Sequence, residues 1–351
     1  MAYDARWEDY QRLSLRFARS LDGSDPATAL KAFATFGRRF AQNRDSLPQS
    51  DEDRAFHLVA DATILIDYEL PFAETDERAE QLIRRAASLL DEAISLDACC
   101  HDAVRMQSAA QNPSFETYYA FLREGADEVR AHCEEARENV GADDHTDRVK
   151  LARDIAMHPY YRWLATMADK ALVCGRNKDA IRLSEELIAL DPDDGSDVRF
   201  TCALAYAKLE DEAGLDALAR RCREAGVYRG SDDAWLLLAR ASLAHKRRDP
   251  SAARERISDV IRTYPHAAAT LVRQRELPDG VFSRIAVQPF SEDELIIAAS
   301  EGTVILQEGR DRRGRGVFGS WVADAAADLA PEEERAEVED ALREVESAGA
   351  R

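Results

Sequence analysis

The chain has 351 residues, enough for one or two domains or an extended stack of repeated units. Its 67 acidic and 47 basic side chains leave a net charge of −20, which argues against nucleic acid or an anionic membrane as partner, because a polyanion would be repelled over most of the surface. Pro and Gly are few (11 and 16) while Ala, Leu, Glu and Arg dominate, the bias of a helical protein, and no uncharged apolar run reaches the roughly 18 residues of a membrane span.

Residues 5–21 and 26–43 predict a first helical hairpin. Trp7, Tyr10, Leu13, Phe17 and Leu21 share one stripe, and Leu30, Phe33, Phe36 and Phe40 another. Residues 22–26 (DGSDP) supply a turn and an N-cap, and Pro48 breaks the chain within 46–50. Residues 56–70 predict a strongly apolar helix that Pro71 ends. A long helix follows over 76–96, with Leu82, Ala86, Leu89, Leu90, Ala93 and Ile94 on one side. Residues 99–111 predict a short helix, Asn112-Pro113 a restart, and 115–139 a long helix with an acidic outer face. Residues 141–145 (GADDH) are the most linker-like point of this half, read as a tight inter-helix turn with a domain boundary as the alternative.

In 159–194, Leu164, Met167, Ala168, Ala171 and Leu172 recur at helical spacing and stop at Gly175. Ala180, Ile181, Leu183, Leu187, Ile188 and Leu190 then run to Asp191-Pro192. Two helices of about fifteen residues, a Gly turn and a terminal Pro make the unit of a tetratricopeptide-type repeat, whose period is about 34 residues. One unit cannot bury its apolar face alone, so neighbours must stack on it. Residues 198–209 and 215–225 predict a second hairpin, 226–230 a link, and 232–246 with 250–264 a third. Ala86, Ala180 and Ala253 each stand twelve residues before Ala98, Pro192 and Pro265. A small residue lets the second helix cross close to the first, and Pro stops it so that the next unit can begin.

Residues 291–309 (SEDELIIAASEGTVILQEG) are β-branched enough for a strand pair, but helix is the reading adopted. Residues 309–316 (GRDRRGRG) predict a basic flexible loop and 331–345 an acidic, weakly amphipathic cap. The expected fold is all-α: an irregular N-terminal helical region (1–145), a right-handed helical-hairpin, tetratricopeptide-like solenoid (146–285) and a C-terminal cap with its acidic helix (286–351).

The segments 158–162 (HPYYR), 174–181 (CGRNKDAI), 190–200 (LDPDDGSDVRF), the Trp235 helix and 263–278 (TYPHAAATLVRQRELP) follow one another in a way that resembles the tetratricopeptide-like core of the suppressor-of-tumorigenicity family. Asp191, Asp193 and Ser196 depart from that family's Asn and Gln pattern, and Ala267-Ala268 replace its Val-Pro. The resemblance covers roughly 155–300. It implies a fold and no activity, since the family is not defined by a catalytic residue set.

In stacked hairpins the first helix of each pair lines the concave groove. Arg162, Asp169 and Leu172 fall there, then Arg199, Ala203 and Tyr206, then Arg240 and Leu243. The expectation is that Arg162, Arg199 and Arg240, with Tyr206, bind an acidic peptide or a C-terminal carboxylate through bidentate pairing. The alternative is that these arginines pair with internal acids such as Asp169 and Asp233. A chaperone-binding clamp needs Lys and Asn at groove positions that here hold Ala165, Asp169, Phe200, Asp233 and Leu237.

Cys99-Cys100-His101 and His132-Cys133 offer soft metal ligands, but adjacent cysteines on a helix point about 100° apart and no C-x-x-C pair exists, so packed thiols are the reading and no metal is expected. The acidic run 191–197 lacks the Gly and Glu placement of a calcium loop. His158 and His266 are read as capping residues at helix starts. There is no phosphate loop, dinucleotide fingerprint, nucleophile elbow or HExxH. The expectation is a non-enzymatic scaffold for a protein or peptide, without cofactor. The N-terminal charges sit where a signal peptide needs an apolar core, and the six cysteines are scattered, so the cytoplasm is the expected setting. The runner-up is an enzyme with a site between the N-terminal helical region and the repeats, and a third reading is a structural subunit docking a basic partner.

Overall fold

A computed structural model describes residues 4–21, 23, 25–140, 146–227, 232–277, 287–309 and 315–349. The GADDH segment, residues 228–230 of the 226–230 link, Pro278 and most of the basic run 309–316 lie outside the described residues. Among those described, every regular element is helical, and no helix is long and apolar enough to cross a membrane. By internal contacts the chain forms two compact units, Asp4–Leu164 and the part from Ala165 onward.

The first unit begins with α1 (Ala5–Ser20) and α2 (Pro26–Asn43), a hairpin closed around Leu13, Phe17, Phe36 and Leu47. Asp4 and Asp25 cap these helices by accepting the otherwise orphaned backbone N–H groups of the first turn. Next comes α3 (Asp51–Thr63), opened by a reciprocal capping box between Ser50 and Asp53. The predicted helix to Leu70 does not stay α: Ile64–Glu69 is a π turn, and a 3₁₀ turn at Leu70–Phe72 carries Pro71. The π turn spreads one extra residue over the turn before Pro71 stops the chain.

Helices α4 (Asp76–Leu96), α5 (His101–Gln111) and α6 (Phe115–Asn139) follow. α3 packs on α1 and α4, and α5 on α3, α4 and α6. Ala55, Val59, Leu65, Leu82, Ala86, Leu90 and Ala93 form the core between them, the periodic residues of the sequence.

The next helix, α7, runs over Asp147–Val173 with Pro159 inside it. The reading of His158 as a helix start is therefore corrected. Pro159 removes one ladder bond and crowds the carbonyl of Ile155, yet the helix continues through it. The two units meet in sequence within this helix. It ends in a Schellman motif at Gly175 (φ +72°), whose N–H reaches Leu172 O while that of Arg176 reaches Ala171 O.

The second unit contains α8 (Asn177–Leu190), α9 (Val198–Lys208), α10 (Glu212–Glu224), α11 (Ala234–Lys246), α12 (Pro250–Thr263), α13 (Ala267–Arg273), α14 (Glu292–Glu301), α15 (Thr303–Leu306), α16 (Val317–Leu329) and α17 (Arg335–Gly349). The segment left open between strand pair and helix is helical, as α14 and α15. α9 packs on α8, α10 and α11, and α11 on α10 and α12. Ala180 and Ala253, the small residues at the predicted crossings, are fully buried.

The C-terminal helices cover the first-helix side of these hairpins: α14 lies on α11 and α13, α15 on α9, α16 on α12, α13 and α15. This explains why α9 and α11 are apolar nearly all round. Of the ten residues Val198–Ala207, Tyr206 alone is not buried.

Candidate functional site

The five residues singled out in the sequence are each engaged within the chain. In the first unit Arg162 is buried between two carboxylates: Nη1 donates to Glu8 Oε2 (2.7 Å), Nε to Asp102 Oδ1 (2.7 Å) and Nη2 to Asp102 Oδ2 (2.5 Å). Glu8 also accepts from Arg12 and from His158 Nδ1 (3.0 Å), and Arg12 lies over the Phe56 ring at 4.1 Å. Burial pushes the Glu8 carboxyl up, but Arg162, His158 and Arg12 outweigh it and hold the group well below the usual carboxylate range. Asp102 behaves alike, burial being outweighed by Arg162 and Arg105. Carboxylates held this firmly ionised are not poised to exchange protons near neutral pH, so this cluster binds helices together rather than presenting an acid or base.

In the second unit Asp169 pairs with Lys170 (3.3 Å). Arg199 is buried among three acids: Nη1 meets Asp194 Oδ2 (2.9 Å) and Asp197 Oδ1 (2.5 Å), and Nε stands 3.9 Å from Asp233 Oδ2. Its guanidinium lies over Phe200, which stacks on Trp235 at 3.7 Å. Two acids of the run 191–197, Asp194 and Asp197, are thus turned inward, while Asp193 is exposed. Asp191 accepts from Gly195 N and Asp194 from Val198 N, both at 2.8 Å. With one guanidinium for three carboxylates, burial pushes Asp233 up to about 6 against the pull of Arg199, and its Oδ2 accepts no hydrogen bond among the described residues. Tyr206 donates to Glu185 Oε1 (2.8 Å), and Arg240 pairs with Asp232 and Asp216. Internal pairing, the alternative weighed above, accounts for the guanidiniums of Arg162, Arg199 and Arg240, with partners that include Asp233.

An open cleft of about 630 Å³ lies elsewhere in the second unit. His245, Lys246, Arg248, Pro250, Glu308, Val317, Phe318 and Trp321 line it. Phe318 and Trp321 stack (14° between planes), and His245 sits 5.3 and 5.2 Å from their centroids. Burial lowers the His245 pKa, so that wall is aromatic and neutral. Other lining residues are charged. Glu308 accepts from Lys208 Nζ (2.9 Å) and pairs with Lys246 Nζ (3.0 Å), and the same ammonium groups donate to Val304 O (3.1 Å) and Ala207 O (3.2 Å), carbonyls at helix C-terminal ends. Burial raises the Glu308 pKa, but the two lysines outweigh it and hold it down. The Arg248 guanidinium has no ion-pair partner among the described residues. Val317 at the rim is 65 % exposed.

Sequence reading passed over these residues, although the basic run 245–248 (HKRR) beside Pro250 was a visible signal. The free thiols Cys100 and Cys133 are buried, and burial pushes them up to about 12 and about 11, so these two are packed hydrophobes as expected, whereas Cys99 is exposed and is not. Among the described residues no group of three or more His, Cys, Asp or Glu side chains could hold a metal ion. No family model and no curated protein matches the chain.

Proposed function

We propose that the chain is a non-enzymatic interaction scaffold, a right-handed tetratricopeptide-like stack of helical hairpins over 146–285, that binds an acidic peptide segment in the cleft between α11, α12 and α16. The pairing order of α8 through α12 and the buried alanines at the crossings support the stacked reading. The observation that carries the binding reading is the stacked pair Phe318 and Trp321 lining one cleft with Lys246 and with Arg248, which has no ion-pair partner among the described residues, in a chain whose charge is −20. An apolar or aromatic side chain of the peptide fills the wall, and its carboxylates meet the cations. The engaged state of Arg162, Arg199 and Arg240 moves recognition away from the groove residues first singled out. The free thiols suit a cytoplasmic setting.

The test uses a fluorescein-labelled peptide with one phenylalanine flanked by glutamates, and a control with lysines in their place. The acidic probe binds with saturable anisotropy, the control does not, and Trp321→Ala and Arg248→Glu each weaken binding about tenfold. Equal binding of both probes, or full affinity in both variants, overturns the reading.

A further inference from the structure

The first unit brings together two histidines that are 31 residues apart. His101 opens α5 and His132 lies on α6, and their rings meet with Nε2 of the first 2.9 Å from Nδ1 of the second, the planes at 76°. Neither ring takes part in the Glu8–Arg162–Asp102 cluster. His132 is exposed and His101 is partly buried, so solvent reaches the pair. We propose that His101 and His132 form a binding site for one divalent transition-metal ion of the copper(II) or nickel(II) class, held by the two imidazoles with water in the remaining positions.

The geometry favours this class. An imidazole nitrogen binds such an ion at about 2.0–2.1 Å, so two nitrogens 2.9 Å apart subtend about 90° at it. That is the angle between neighbouring ligands in square-planar or octahedral coordination, whereas a tetrahedral zinc site needs its nitrogens farther apart. The approach of the two nitrogens requires one of them to carry a shared proton; on metal binding that proton shifts to the other nitrogen of its ring, or leaves to solvent if the pair is protonated, so that both nitrogens present lone pairs to the ion.

Burial and the neighbouring His132 disfavour positive charge on the His101 ring, and the carboxylates of Asp102, Asp97 and Glu128 oppose them without outweighing them. Glu128 precedes His132 by four residues on α6 and so shares its face. Cys100 and Cys133 are buried but Cys99 is exposed, so the copper titration is run in a Cys99→Ser background that keeps this thiol from competing with the imidazoles. His101 is also positioned from behind. The Trp163 ring stands nearly perpendicular to it with centroids 6.4 Å apart, and Trp163 is itself fixed by donating Nε1–H to Leu122 O at 2.7 Å.

That tryptophan supplies the readout, since copper(II) quenches a nearby indole. Copper(II) chloride is titrated into the full chain carrying Cys99→Ser in a non-coordinating buffer, with tryptophan fluorescence and calorimetry recorded together. Quenching saturates at one equivalent with micromolar affinity. His132→Asn, at an exposed position that leaves the fold intact by circular dichroism, weakens binding at least about tenfold, as does His101→Asn. His266→Asn, at an unrelated exposed histidine, changes nothing. Electron paramagnetic resonance of the adduct shows nitrogen hyperfine structure that His132→Asn removes. Quenching that never saturates, or equal affinity with and without His132→Asn in that background, overturns the proposal.

Discussion

The guanidinium of Arg162 donates to the Glu8 carboxylate at 2.7 Å across 154 residues of chain. Its other edge meets Asp102, so one side chain of α7 ties α1 and α5 to it inside the first unit. Removing one member of a buried ion pair leaves uncompensated charge in a poor solvent for it.

Arg162→Met is accordingly expected to lower the stability of the first unit by about 3–5 kcal/mol, because two carboxylates lose their shared cation. Arg162→Lys recovers part of this, since an ammonium cannot donate to both carboxylates as a fork does. Urea denaturation followed by circular dichroism measures it, and a loss under about 1 kcal/mol would show the cluster to be decorative.

The two units are expected to respond to acid in opposite senses. The Glu8 and Asp102 carboxyls have folded pKa values below their ordinary ones, so their stabilisation is present above about pH 4.5 and is lost as pH falls through the depressed values. Asp233 rises from 3.8 to about 6, so between those values the folded state holds a proton that the unfolded chain releases. Stability from this group is therefore present below about pH 4 and declines as pH rises to about 6. Asp233→Asn keeps the cap on Leu236 N, removes the buried charge, and should stabilise the second unit at pH 7 by about 1–2 kcal/mol, with the gain fading below about pH 5. Denaturation midpoints of wild type and variant at pH 5 and pH 8 decide it, and parallel pH slopes would contradict it.

Gly125 is required by contact rather than by backbone angle. A Cβ there would stand 2.9 Å from Trp163 Cζ2, in a ring that is buried and hydrogen-bonded. Gly125→Ala should cost about 1–3 kcal/mol through displacement of the indole, more than offsetting the helix propensity gained. The thermal midpoint falls while Trp163 emission shifts to the red.

Glu308 occupies the cations that an external carboxylate would use. Glu308→Gln frees Lys208 and Lys246 from their ion pairs, and several-fold tighter binding of the acidic probe is expected, with a steeper dependence on salt. Weaker binding by the same anisotropy assay would make Glu308 a contact of the ligand instead of its competitor.

Helix positions follow from local order along the chain. The stripes at Leu82, Ala86, Leu90 and Ala93 and at Ala180, Leu183 and Leu187 lie inside α4 and α8 because a 3.6-residue period and a burial stripe are the same thing seen in sequence and in space. Pro159 misled, since the lost N–H that favours a helix start is also tolerated within a long helix that neighbours support.

The chain by itself determined that it would be helical, where most helices would lie, and which small residues would be buried at crossings, because each depends on spacing within one element. Only the tertiary structure decided the partners of the charges and the place of the cleft. Arg162 finds Glu8 and Asp102, and His245, Glu308 and Trp321 come together, through the docking of helices dozens of residues apart. Periodicity says which face of a helix is buried, but not what lies against it, and the chemistry of a site is set by what lies against it.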